Sequence, residues 1–184
     1  MKIGLISDTH GYIDAWEKAL KVFGDVELVI HMGDILSSGP FNPRLETYQP
    51  VKLAGALNSA RFPIIFARGN CDAEVDSNAL DSPVQSPYAF VFADGLRILA
   101  THGHAHQEAG LIELGSKFGI DVVATGHTHV VRLERHGNLI RVNPGSAALP
   151  KGDDGFPTAG LMENGCIKII SLEDGAEVRS LDIG

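Results

Sequence analysis

The chain opens on an apolar run, KIGLIS at residues 2–7, that reads as a short buried strand. Over 13–23, Ala15, Trp16, Ala19, Leu20 and Phe23 recur near helical spacing. That spacing predicts a helix with this face in the core. A second strand is expected over 26–31. Residues 36–48 carry Gly39-Pro40 and Asn42-Pro43 and read as a loop. Pro50 opens a helix over 50–60, and FPIIFA at 62–67 is a third strand. Strand, helix, strand, helix, strand is a parallel α/β pattern.

The texture changes after residue 86. Runs at 88–93 and 96–101 flank Asp94-Gly95, a strong hairpin signal. A helix is expected at 107–118 and a strand at 120–125. From 129 onward short strands dominate. They are broken at His136-Gly137-Asn138, Glu163-Asn164-Gly165 and Glu173-Asp174-Gly175. The expected architecture is a mixed two-sheet α/β sandwich, with hairpins prominent in its second half.

Composition narrows the class. The 184 residues are 44% hydrophobic, enough for one domain over 1–184 with a real core. No repeat, low-complexity tract or long linker points to a second domain. The first residues reach Asp8 too early for a signal peptide, and no run approaches ~18 apolar residues. A cytoplasmic protein without a membrane segment is expected. Two cysteines, Cys71 and Cys166, cannot build a disulfide framework, which agrees with a reducing compartment. The formal net charge of −8 argues against broad nucleic-acid binding. A phosphate substrate stays compatible if the site supplies positive charge locally.

The candidate chemistry lies at strand ends. Five strands stop at polar clusters beside Gly or Thr. They are Ser7-Asp8-Thr9-His10, Gly33-Asp34, Gly69-Asn70-Cys71-Asp72, Thr101-His102-Gly103-His104 and Gly126-His127-Thr128-His129. In an open α/β sheet, groups beyond the carboxyl ends of the strands converge on one crevice. Asp8 and His10 are two apart, as are His127 and His129, so in extended backbone each pair reaches one site. Two carboxylates, a carboxamide oxygen and several imidazoles suit Mn, Fe, Zn, Co or Ni, and no thiolate cluster marks structural zinc. Asp34 can bridge two ions held about 3.5–4 Å apart. Two divalent ions bring about +4, Asp8 and Asp34 subtract two, and the remaining charge of about +2 suits an anionic phosphoester.

The series D-x-H, GD, GN, H and GHTH, in this order, resembles the calcineurin-like metallophosphoesterases from residue 5 to about 146. The shorter features GNCD, NPGS and PKG resemble the small bacterial YfcE-type phosphodiesterases, nearly to the end of the chain. The resemblance implies a four-layer α/β/β/α sandwich of two mixed β-sheets flanked by helices. It implies one metal site from Asp8, His10, Asp34 and His129, and another from Asp34, Asn70, His102 and His127, with manganese first among the metals. Many family members carry His directly after the Asn of GN; here that position is Cys71. A thiol donates a proton less readily than imidazolium at neutral pH.

The reading is a dinuclear metal-dependent phosphoesterase, a diesterase more than a monoesterase, acting on a small phosphoester. A hydroxide bridging the ions attacks phosphorus, and the metals with His102, His104 and Asn70 stabilise the phosphoryl oxygens. Cys71 and His104 are candidates for protonating the leaving group. A homo-oligomer is compatible with the chain. One rival is a non-catalytic protein-interaction scaffold on the same fold, disfavoured by the intact ligand set. Another is a nuclease, which would be expected to carry extra basic surface. Among the remaining residues, His31 is read as structural, and His106 and His136 as solvent-facing. Arg68 is expected to pair with an acid, Cys166 to pack, and the NPGS turn at 143–146 to border the cleft.

Overall fold

The structure is a computed structural model that describes residues 1–153 and 155–184. Twelve strands are described: β1 (Ile3–Ile6), β2 (Leu28–His31), β3 (Ile64–Ala67), β4 (Val84–Gln85), β5 (Ala89–Ala93), β6 (Leu96–Ala100), β7 (Val122–Ala124), β8 (Val131–His136), β9 (Leu139–Pro144), β10 (Thr158–Glu163), β11 (Cys166–Ser171) and β12 (Glu177–Asp182). Three α-helices accompany them: α1 (Ile13–Phe23), α2 (Pro50–Asn58) and α3 (Glu108–Lys117). A 3₁₀ turn covers Glu74–Asn78.

Seven strands form one sheet in the order β12-β11-β10-β1-β2-β3-β4, and five form the other in the order β5-β6-β7-β9-β8. Both are mixed. β1, β2 and β3 run parallel, while β10 pairs antiparallel with β1. β6, β7 and β9 run parallel, flanked by the antiparallel β5 and β8.

The alternation along the strands creates three apolar layers. Ile3 and Leu5 of β1 and Leu28 and Ile30 of β2 face the second sheet, where Ile98, Val122, Ile140 and Val142 meet them. Ile6 and Val29 face the other way, onto Trp16, Phe23 and Leu53 of α1 and α2. Leu99 and Val123 turn their opposite face to Leu111 of α3. β1 is therefore buried on both sides, which is why it reads as an unbroken apolar run. The stacking is α/β/β/α, as the resemblance implies.

The expected elements are present with ends trimmed by up to two residues. Asp94 and Gly95 take φ of 53° and 78°, as a two-residue hairpin turn requires. β4 and the 3₁₀ turn lay outside the expectations, because two strand residues and five turn residues carry no readable period. The pattern also said nothing of sheet membership. The C-terminal hairpins β10, β11 and β12 close onto β1, in the first sheet, so that residues after β9 end up beside the N-terminal strand.

Candidate active site

β1, β2 and β3 release their chains at the same edge of one sheet, and β6 and β7 do so in the facing sheet. The five polar clusters follow these five strand ends. Gathered there, Asp8, His10, Asp34, His102 and His129 are all buried, each at most 4% exposed. Asn70, His127 and His104 are exposed at the rim. The centre thus has a dry floor and an open mouth.

Left-handed backbone aims these groups. Asp8, His10, Asp34, His127 and His129 all have positive φ, between 46° and 69°. They are five of the seven non-glycine residues described in this conformation. Such backbone is uncommon and persists where surrounding structure holds it. This corrects the expectation from extended chain. Asp8 and His10 do share one group, but through left-handed turns rather than strand alternation. His127 and His129 do not share one: His129 joins Asp8 and His10, whereas the His127 ring lies 5.2 Å from that of His102.

Close backbone approach needs glycine at two points. A Cβ on Gly69 would lie 2.1 Å from Oδ1 of Asp34. On Gly126 it would lie 1.8 Å from Oγ of Ser7 and 2.8 Å from Oδ2 of Asp8.

The ring orientations follow from main-chain carbonyls. Nδ1 of His10 donates to Ser37 O at 3.0 Å, Nδ1 of His102 to Met32 O at 2.7 Å, and Nδ1 of His129 to Leu149 O at 2.5 Å. A carbonyl only accepts, so each Nδ1 carries the proton and each neutral ring offers an Nε2 lone pair to the centre. Those lone pairs crowd other acceptors. Nε2 of His10 and Nε2 of His129 face each other at 3.2 Å. Nε2 of His129 is 3.2 Å from Oδ1 of Asp8, and that buried oxygen makes no hydrogen bond. Nε2 of His102 is 3.1 Å from Oδ1 of Asn70 and 3.3 Å from Oδ1 of Asp34. Asp34 Oδ2 lies 3.7 Å from Nε2 of His10, so this carboxylate reaches both groups. Acceptors facing acceptors in a buried site call for cations among them, and the donor set fits divalent metal.

Protonation divides the rings: His10 and His127 are held neutral, whereas His102 keeps a proton that a metal ion would have to displace. Burial holds His10 below the usual imidazole range, and burial with the neighbouring His102 does the same for His127. Burial also opposes charge on His102, yet its contact with Asp34 and the charge of Asp8 push it up to about 9. Burial opposes ionisation of Asp8 and Asp34 as well, but the imidazoles beside them hold both carboxyls below the usual range.

The calcineurin-like phosphoesterase superfamily domain matches residues 1–164. The chain belongs to the calcineurin-like phosphoesterase superfamily. "Phosphodiesterase YfcE" of Escherichia coli strain K12 is 36% identical over the whole of this chain and 98% of its own length. "Phosphodiesterase MJ0936" of Methanocaldococcus jannaschii is 33% identical over 89% of this chain and 93% of its own. The solved structure of the E. coli phosphoesterase superposes over all of both chains with a TM-score of 0.90 at 33% identity.

Within this superfamily fold, several groups without a local sequence signal support the site. Asp72 accepts backbone N–H groups from Asp34, Ile35 and Gly69 at 2.9, 2.7 and 2.7 Å, and burial pushes its carboxyl up to about 6. It closes the GNCD motif, where local spacing carries no sign of this role. His31 is structural as expected. It is fully buried, donates from Nε2 to Thr9 Oγ1 at 2.9 Å, and accepts the Gly33 N–H on Nδ1. The NPGS turn buttresses the site from behind. Asn143 donates to Gly126 O at 2.7 Å, and Ser146 Oγ donates to Asp8 O at 2.9 Å.

Cys71 lies at the cleft, grouped with His10 and Asp34, and burial and the charge of Asp34 push its thiol up to about 12. The His104 ring is 5.5 Å from that of His102. Arg68 pairs with Glu74 at 3.4 Å, as expected. Cys166 is half-buried on β11. Two expectations fail: His106 and His136 are half-buried rather than solvent-facing. His106 stacks on Tyr88 and bonds its hydroxyl at 2.9 Å, and His136 rests against Glu134 at 3.5 Å. No described helix is long and apolar enough to cross a membrane.

Proposed function

We propose that this protein is a metal-dependent phosphodiesterase acting on small phosphoesters, built as one domain over residues 1–184. Asp8, His10, Asp34 and His129 would hold one divalent ion, and Asp34, Asn70, His102 and His127 a second, with manganese first and iron, zinc, nickel or cobalt also compatible. The observation that carries this reading is the pair of Nε2 atoms of His10 and His129 at 3.2 Å. Each Nδ1 is committed to a carbonyl, so the two Nε2 atoms meet favourably around a metal ion or a shared proton, and the unpartnered Oδ1 of Asp8 beside them favours the metal. When bound, two such ions supply a nucleophile at neutral pH and offset the charge of the phosphate.

The chain's own groups do the rest. The buried histidines and carboxylates form a rigid floor whose geometry does not depend on substrate. His102, His104 and Asn70 meet the phosphoryl oxygens, His104 and Asn70 from the open mouth. Cys71 stands at the leaving-group position as a neutral thiol. Diesters are favoured over monoesters by the relatives, two of which are named phosphodiesterases. Small substrates are favoured by two modest cavities meeting at His127, of about 380 and 300 Å³. The intact set of Asp, Asn and His donors favours an enzyme over a non-catalytic scaffold. A reducing cytoplasm agrees with two free thiols.

The test is an activity panel of phosphomonoesters, diesters and cyclic nucleotides, run after metal stripping and single-metal add-back. Turnover of diesters restored by a divalent ion is expected. Activity that persists after verified metal loss would end the proposal.

A further inference from the structure

On the far side of His127 from the metal cleft lies the smaller cavity, about 300 Å³. His104, His106, Glu108, Arg132, Arg141 and Asn143 are among the residues that line it. Two arginines in one small cavity stand out in a chain of net charge −8. Arg141 sits in the middle of β9, between Val123 of β7 and Glu134 of β8, and is only 8% exposed. Its Nε and Nη1 are buried and make no hydrogen bond. Nη1 does approach Oε1 of Glu108 at 2.5 Å, as an ion pair outside hydrogen-bond geometry.

A guanidinium stays charged when buried, and its open donors cost free energy until an acceptor meets them. Glu108 meets this need only in part. Its side chain is about half exposed, on the first turn of α3, and can turn to water. Glu134, opposite Arg141 on β8, adds negative charge but is shared with the exposed Arg132 at 3.1 Å and with His136 at 3.5 Å. Asn143 donates to Gly126 O and to Thr128 Oγ1.

We propose that this cavity seats one ester arm of the substrate and selects an arm ending in a second anionic group, a carboxylate or a phosphate. Arg141 is the specificity-determining residue and Arg132 adds charge beside it. The inference rests on the phosphodiester reading, because His127 borders both cavities and an ester at the metal cleft has one arm within reach of this one. The volume is at the low end for small-molecule sites, so it takes a short polar arm rather than a polymer. Binding would displace the Glu108 carboxylate and complete the arginine's donors with a bidentate acceptor.

The test compares two diesters with the same leaving group, carboxyethyl para-nitrophenyl phosphate and its carboxamide, on the metal-loaded full chain. The readout is the ratio of their kcat/KM values. The parent should prefer the carboxylate by about tenfold, the effect of one charge-assisted hydrogen bond. Glu108→Gln removes the competing carboxylate from a half-exposed position and should raise the ratio severalfold. Arg141→Gln should bring the ratio to one or below. If Arg141→Gln does not fold, Glu108→Gln still decides. A parent ratio of one or less that Glu108→Gln leaves unchanged overturns the selection of anionic arms while leaving the diesterase reading intact. Failure to cleave either ester overturns both.

Discussion

Oδ2 of Asp72 accepts the backbone N–H of Asp34 at 2.9 Å, and its other oxygen takes the next N–H along, that of Ile35, at 2.7 Å. Through Gly69 N–H the same carboxylate also holds the β3 loop, so it ties together the two turns that carry the proposed ligands Asp34 and Asn70. Asp34 itself returns the link, accepting the Cys71 N–H at 2.8 Å. Replacing Asp72 by Ala should destabilise the fold by about 1–3 kcal/mol, since buried N–H groups lose their acceptor. Metal affinity should fall by about 10–100-fold, as for other groups that orient ligands. Asp72→Asn keeps an acceptor oxygen and should lose less of both. Urea midpoints and metal titrations check the order; equal values for Ala and Asn would show that the hydrogen bonds do not matter.

Asp34→Asn should abolish activity and weaken both ions, because the residue facing His10 and His102 loses its charge. His136→Ala should change turnover little, since His136 contacts Glu134 and belongs to neither proposed ligand set. Metal analysis beside turnover checks this. Two tightly held ions in Asp34→Asn would exclude it as the bridge.

Gly69→Ala should act like a ligand mutation although no ligand is touched. The added methyl would fall 2.1 Å from Oδ1 of Asp34, so the carboxylate must move. Gly95→Ala, where nothing lies within 4 Å, is the comparison; its positive φ adds a backbone cost that Gly69 lacks, which makes it the stricter control. Loss of metal affinity in Gly69→Ala but not in Gly95→Ala is the expected result.

Metal occupancy should decline as pH falls. Imidazoles bind metal only when neutral, and burial favours that form in His10 and His127, with His102 adding to it at His127. Acid supplies the competing proton, so the loss should set in toward the ordinary histidine range of about 6.5 and deepen below it. Bound metal, measured across pH after desalting, gives the curve. An occupancy that rose on acidification would contradict the histidine ligands.

Cys71 should leave the enzyme biased toward esters with good leaving groups. A thiol pushed up to about 12 by burial and Asp34 is a weak proton donor. General acid help is worth about 10²–10⁴-fold where the leaving group needs it. Cys71→His should therefore raise activity more on alkyl phosphates than on nitrophenyl esters, if the new ring reaches the cleft. Cys71→Ser should scarcely change nitrophenyl diester turnover. Rates plotted against leaving-group pKa separate this from a catalytic thiol, which requires a steeper slope in Cys71→Ser than in the parent.

Much of this was written in local patterns. The helical spacing of Ala15, Trp16, Ala19 and Phe23, the Asp94-Gly95 turn and the polar clusters at five strand ends each depend on neighbours in the chain, so periodicity and turn chemistry expose them. The ordered series of Asp, Asn and His blocks carried the family resemblance for the same reason.

Tertiary structure decided what depends on distant partners. Whether β10 lies beside β1 or in the other sheet is a choice between two apolar surfaces that look alike in sequence. The separation of His127 from His129 required left-handed backbone at both, stabilised by contacts such as His127 N–H to Asp8 across 119 positions. The roles of Asp72, Asn143 and Arg141 lie in hydrogen bonds and cavities made by several strands at once. Local sequence determined which groups could meet at the strand ends. Only packing decided which lone pairs face each other, because direction in space is set by the whole fold and not by spacing along the chain.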